Sequence, residues 1–250
     1  METPASQNPE AQKVQLPSRG YLYDGKMPDG WVDIRPMTTR EESLLVSPKG
    51  DRYVLLNKVL DACLLTKDVP MADLVSGDRL YLLFAIRQLT YGGSYSVQLA
   101  CRSCQGPVRL TLEFPKDLSL RALEPTDREP FEVQLPVSGH KVGLRLLRTK
   151  DETEILRYAS RPSALSSEGD PSYIYRLARH IATIDGAVVD PTAAMALVER
   201  LAGRDSLAIR LAVEQHDCGP DLMLDTVCSR CGSQVKEMMP LTEEFFRPSS

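Results

Sequence analysis

The sequence predicts an α+β fold: a mainly helical body and a zinc-ribbon-like β mini-domain that two sequence-distant Cys-x-x-Cys knuckles build, with an extra hairpin. Three observations predict it. Apolar residues recur at three- and four-residue spacing through 38–89 and again through 149–215, the period of buried helix faces. Strand-like alternation is found in short runs, at 31–35 and within 94–114, 131–147 and 221–241. Two of those runs turn back through a cysteine pair, Cys101-Arg102-Ser103-Cys104 and Cys228-Ser229-Arg230-Cys231.

The domain organisation follows. Residues 1–14 carry no apolar period and read as a flexible tail, and 15–248 read as one compact unit. Within it, 94–114 and 221–241 form the paired knuckles and 150–216 is a helical segment looped out between them. A chain of 250 residues with 42% hydrophobic and 26% charged residues is long enough to bury a core. The net charge of −4 gives no overall attraction for nucleic acid or anionic membrane. No apolar run approaches the ~18–20 residues of a spanning helix, and Met1–Lys13 lacks an apolar signal core, so a cytosolic protein is expected.

In chain order, Trp31-Val32-Asp33-Ile34-Arg35 alternates like a short strand, with the single tryptophan as its packing anchor and a partner contact as the alternative. Thr38 and Glu41 stand at capping-box spacing, so a helix starts near Thr39. Tyr53 to Leu65 is amphipathic through Leu56, Val59, Leu60, Cys63 and Leu64. A third helix runs from Ser76 to about Leu89, apolar nearly all round and therefore central; Arg87 interrupts it, either paired inside or solvated at its tip. Tyr91-Gly92-Gly93 ends it. Strands at Ser94–Ala100 and Val108–Phe114 flank the first cysteine pair, and a hairpin joins Phe131–Leu135 to Lys141–Leu147.

Thr149 and Glu152 repeat the capping-box spacing, and that helix ends near Arg161-Pro162, before a polar loop from Ser163 to Gly169. Asp170-Pro171 and Asp190-Pro191 each set an N-cap before a first-turn proline. The two helices they open carry Ile174, Leu177, Ala178 and Ile181, then Met195, Leu197, Val198 and Leu201. A last helix covers about Asp205 to Gln215. Strands over Leu222–Val227 and Val235–Leu241 flank the second pair.

Four thiolates in two C-x-x-C pairs are the donor set of a closed tetrahedral zinc site, because a two-residue spacer lets both sulfurs face one ion. The expected ligands are Cys101, Cys104, Cys228 and Cys231, holding one structural zinc. Gly106 and Gly232 stand as the matching turn glycines that aim amide hydrogens at the sulfurs. Two alternatives stand beside this: knuckles that merely pack with reduced thiols, and a third ligand from Cys218 or His216. Cys63 reads as buried filler. Redox chemistry of the thioredoxin kind needs a pair that opens a helix, and both pairs here lie between strands. A closed four-cysteine site does not catalyse. Of the three histidines, His140, His180 and His216, the first two lie in no nucleophile or metal pattern, and G-x-S-x-G, P-loop, G-x-G-x-x-G and H-E-x-x-H are absent, so no catalytic residue is assigned.

Several stretches share one resemblance. Leu16-Pro17-Ser18-Arg19-Gly20, Arg87 with Tyr91-Gly92, the first cysteine pair, Leu135-Pro136, the second pair with its glycine, and the closing Phe245-Phe246-Arg247-Pro248 stand in a characteristic order. In that order the chain resembles the T-even-phage-type baseplate hub assembly chaperones, or baseplate hub subunits, of contractile tails. The resemblance covers about 14–248 and says little about 150–215. It implies a non-enzymatic protein that helps build the hub of a phage tail or related injection system. The implied partners are hub and other tail proteins, with no nucleic acid, membrane or small-molecule substrate. The implied location is the producing cell's cytoplasm, with retention in the finished particle left open. Leu16–Tyr21 and Phe245-Phe246 are the candidate partner surfaces, packing onto the body being the alternative. A zinc-ribbon nucleic-acid-binding regulator is the competing function; Arg102, Arg109, Arg230 and Lys236 around the pairs form no dense cluster, which weighs against it.

Overall fold

A computed structural model describes residues 11–46, 51–161 and 169–248. Residues 1–10 of the expected tail and 163–168 of the expected polar loop lie outside the described residues. The first element, β1 (Gln12–Gln15), runs antiparallel to β2 (Trp31–Ile34), with Val14 opposite Val32. Residues 12–14 of the expected tail thus lie in a strand, and Val14 is drawn into the core. Alternation in β2 holds, but with Val32 and Ile34 inside and Trp31 47% exposed. The tryptophan is thus no packing anchor: strand parity puts it on the solvent face.

α1 (Thr39–Leu45) starts at Thr38, and the Glu41 carboxylate accepts from the Thr38 amide at 2.8 Å. α2 (Arg52–Cys63) begins at Asp51, whose side chain accepts from the Tyr53 and Val54 amides. It buries Val59, Leu60 and Cys63, and burial pushes the Cys63 thiol up to about 11. α3 (Ser76–Tyr91) is the central helix, with Leu82, Phe84 and Ile86 nearly inaccessible.

The Leu16–Tyr21 stretch docks on the first turn of α3. Leu16 and Ser18 are fully buried, Asp78 Oδ1 accepts from the Ser18 amide at 2.8 Å, and Asp78 Oδ2 accepts from the Tyr23 hydroxyl at 2.5 Å. Burial pushes the Asp78 carboxyl up to about 6 against the pull of these hydrogen bonds. This stretch is therefore core, not an open partner surface.

β3 (Ser94–Ala100) and β4 (Pro107–Glu113) form a two-stranded ribbon, followed by the short β5 (Leu120–Arg121). The expected hairpin is β6 (Phe131–Gln134) and β7 (Lys141–Leu144). α4 (Thr149–Ala159) starts one residue earlier than its spacing suggested: Asp151, not Glu152, caps it by accepting from the Arg148 amide at 2.8 Å. α5 (Pro171–His180) opens at Asp170.

Ile181 is not helical. β8 (Ile181–Ile184) begins there, turns through Asp185-Gly186 and returns as β9 (Ala187–Val188), giving an antiparallel sheet ordered β6-β7-β8-β9. Asp185 and Gly186 have φ of 50° and 82°, the left-handed pair that a tight hairpin needs. α6 (Pro191–Val198) opens at Asp190 and α7 (Gly203–His216) follows. β10 (Gly219–Pro220) pairs with β5, β11 (Met223–Val227) pairs with β12 (Gln234–Met238), and α8 (Glu243–Phe246) closes the chain.

Among the described residues, eight helices and several small sheets, 38% helix against 24% strand, make a mixed α/β architecture rather than a mainly helical one. Among the described residues no helix is long and apolar enough to cross a membrane.

Candidate metal centre

Each cysteine pair sits in a knuckle with the same hydrogen-bond pattern. In the first, Cys101 N–H donates to Gly106 O (2.9 Å) and Gln105 N–H to Cys101 O (2.8 Å). In the second, Cys228 N–H donates to Ser233 O and Gly232 N–H to Cys228 O, both at 2.9 Å. These bonds align Gln105 with Gly232 and Gly106 with Ser233. The expected pairing of the two glycines is therefore one residue out. The position after the second cysteine is left-handed in both knuckles, occupied by Gln105 at φ 56° and by Gly232 at φ 74°. Gly106 is small for another reason. A Cβ there would lie 3.1 Å from Arg230 Cδ and 3.2 Å from Cys104 Sγ, so the opposite knuckle packs over it.

The two ribbons bring all four sulfurs within 4.8 Å of one another. Across the cluster, Cys101 Sγ lies 3.7 Å from Cys231 Sγ and Cys104 Sγ lies 3.8 Å from Cys228 Sγ. A tetrahedron with metal–sulfur bonds of about 2.3 Å has sulfur–sulfur edges of about 3.8 Å. These two edges match that spacing, which makes the cluster a possible metal site. Its burial is symmetric too, since the first cysteine of each pair is 1% exposed while Cys104 is half-buried and Cys231 exposed.

Amide hydrogens reach the outer sulfurs at equivalent positions, Gly106 N–H towards Cys104 and Ser233 N–H towards Cys231. The Ser233 hydroxyl and amide hold Cys231 down to about 6. The Gly106 amide also favours a thiolate at Cys104, but burial and the neighbouring thiols prevail and push it up to about 11. Ser233 was not singled out from sequence, although its place two residues after the second cysteine marks it. Arg102 adds a bridge between the ribbons, its Nε donating to Glu237 Oε1 at 2.5 Å and its Nη2 to Oε2 at 3.1 Å.

Neither Cys218 nor His216 joins the cluster. Cys218 is buried against Gly77 of α3, where the chains cross so closely that a Cβ on Gly77 would collide with the Cys218 carbonyl. Burial pushes its thiol far up. The His216 ring stacks on Phe131 at 4.2 Å and its Nδ1 lies 3.1 Å from Asp127 Oδ1. His140 pairs with Asp185 at 2.7 Å and His180 Nδ1 lies 2.9 Å from Arg145 O.

The base of the first ribbon is fixed by Arg87, 2% exposed. Its guanidinium donates to the carbonyls of Phe245, Gly92 and Ser94, and sits 5.6–5.8 Å from the ring centres of Tyr95, Phe114 and Phe245. Phe245 is fully buried and Phe246 4% exposed, so the closing Phe-Phe seals the core and offers no surface to a partner. The Tyr95 hydroxyl donates to Pro240 O at 2.7 Å, fastening the strand after the second knuckle to the first ribbon.

A four-thiol clip joining two sequence-distant ribbons is an architecture whose donor set is structural in kind. The family described as T4 bacteriophage base plate protein matches residues 18–247, and the chain belongs to that family. No curated protein and no solved structure matches it.

Proposed function

We infer that this chain is a non-enzymatic structural subunit or assembly factor of the baseplate hub of a contractile tail, working through protein–protein contacts. The family match over 18–247 carries the reading, because it takes in both knuckles and nearly all of the described fold. In this reading Cys101, Cys104, Cys228 and Cys231 hold one structural zinc. The ion would supply cross-linking between the ribbons, and four cysteine ligands leave it no open position for a substrate.

The neighbourhood of the clip supports protein contact over nucleic-acid binding. Arg102 is matched by Glu237, Lys236 by Asp225 at 3.2 Å, Arg109 donates to Gln98 at 3.1 Å, and Arg230 packs over Gly106. Such engaged side chains leave no free row of cations for a phosphate backbone.

Deleting the gene in the producing strain and imaging tails by electron microscopy tests the proposal. Missing or incomplete baseplates, restored by the wild-type gene, are expected, and normal baseplates would contradict it. Probing purified tails for the chain distinguishes a retained subunit from a factor that leaves.

A further inference from the structure

Helices α2, α3 and α4 meet around a guanidinium that forms no ion pair among the described residues, although the charge of Glu152 acts on it. Arg79, in the first turn of α3, is 8% exposed, lies 4.1 Å from the centre of the Tyr53 ring, and donates through Nε to Asn57 Oδ1 at 2.5 Å. Its Nη2 is buried and bonds to nothing among the described residues. Arginines are rarely buried without a partner, and an unsatisfied donor in the interior is costly.

Beside it a cavity of about 380 Å³ opens between α2 and α4. Asn57 is in its wall, and so is Thr149, whose carbonyl accepts from the Tyr53 hydroxyl at 3.5 Å. Arg79 does not line the cavity and is joined to its wall through Asn57, while Val54 and Met71 give it an apolar lining.

The charges of the cavity do not balance. Both of its carboxylates are committed, Asp61 to Lys67 at 2.8 Å and Glu154 to Arg179 at 3.1 Å. Lys150 is matched by Asp73 at 2.7 Å. Lys58 and Arg157 line the same cavity, are exposed, and have no ion-pair partner among the described residues. The result is an apolar hollow with two cations at its wall that have no ion-pair partner among the described residues.

We propose that this cavity receives an acidic segment of another tail protein, seating a carboxylate at Lys58 and Arg157 and an aliphatic stem against Val54 and Met71. The proposal rests on the reading of the chain as a component that works by protein contact. Charge complementarity selects the occupant. A phosphate backbone would call for a row of cations rather than two beside an apolar lining.

The test compares three tagged chains, each co-expressed with the other baseplate proteins of the same tail: wild type, Lys58→Glu/Arg157→Glu, and Lys58→Arg/Arg157→Lys. Co-purifying baseplate protein is quantified by mass spectrometry, and a benzophenone amino acid at Ala72, another residue of the cavity wall, maps what enters. Both substituted side chains are solvent-exposed, and thermal melting checks that the fold is kept. The charge-reversed chain should lose about tenfold or more of one baseplate protein. The charge-preserving chain should keep it, and the cross-linked peptide should come from that same protein and carry Asp or Glu. Undiminished recovery by the charge-reversed chain, or a cross-linked segment without acidic residues, overturns the docking proposal and leaves the wider reading standing. If wild type recovers no baseplate protein, both fall.

Discussion

The first knuckle turns through Gln105 and Gly106, the second through Gly232 and Ser233, and both close with the same pair of backbone hydrogen bonds. Their supports differ. The first crowns a ribbon of seven-residue strands whose inner face buries Tyr95, Val97, Leu99, Val108 and Leu112, and whose base is gripped by Arg87. The second crowns five-residue strands that bury Leu224 and Val235 while Met223, Val227 and Met238 remain exposed. Less apolar area holds the second ribbon, so it depends more on the sulfur cluster and the Arg102–Glu237 bridge. Equal geometry at the sulfurs conceals unequal anchoring beneath them.

The comparison can be broken most severely at the buried sulfurs. Cys101→Ser or Cys228→Ser should abolish metal binding and cost on the order of 4 kcal/mol, read from denaturant unfolding. Hydrogen exchange should then show β11–β12 opening before β3–β4; simultaneous opening would mean that the two ribbons are anchored alike.

Arg87→Met tests the first ribbon's own support. It leaves the carbonyls of Phe245, Gly92 and Ser94 without their donor, and a loss of about 3 kcal/mol is expected with metal content unchanged.

Acid should separate the clip from the helical junction. Metal binding requires thiolates, so falling pH releases the ion first. Asp151 titrates later. Burial pushes its carboxyl up, but Arg145 and Arg179 prevail and hold it at about 2, below its unfolded value of 3.8. A depressed folded pKa contributes stability that is present above the unfolded value and lost as pH falls through the folded one. About 2 kcal/mol should therefore disappear between pH 4 and 2, and Asp151→Asn should remove that slope from the pH-dependent unfolding curve.

The smallest effects lie at the turn position itself. Gly232→Gln should cost about 1 kcal/mol because φ of 74° disfavours a side chain. The reciprocal Gln105→Gly should gain about 0.5 kcal/mol, part of the relief being lost to a looser unfolded chain. Equal and opposite shifts in melting would show that the two turns are interchangeable.

Much of the clip was legible in the sequence, because cysteine spacing and flanking alternation are local signals. Thr38, Asp170 and Asp190 also placed their helix starts, since caps act within a few residues. What escaped depends on distant partners. Asp205 shows it plainly: it is buried, and accepts from Val137 and Ser138 amides that only the folded hairpin presents. Burial alone would raise its carboxyl, yet these bonds hold it low. The docking of Leu16–Tyr21 on Asp78 and the sealing role of Phe245 are equally non-local. The β8–β9 hairpin was missed although Asp185-Gly186 announces a tight turn, because Ile181 continued the helical spacing across the end of α5. The turn glycines were mispaired for a similar reason: Gly106 and Gly232 look alike in sequence, while the backbone asks for a left-handed residue one position earlier in the first knuckle.

In the proposed reading one zinc is held between unequal ribbons. Elemental analysis of the purified chain, reading the zinc-to-protein ratio, tests it most directly: about one zinc per chain is expected. A folded, monodisperse chain with no bound zinc would contradict it.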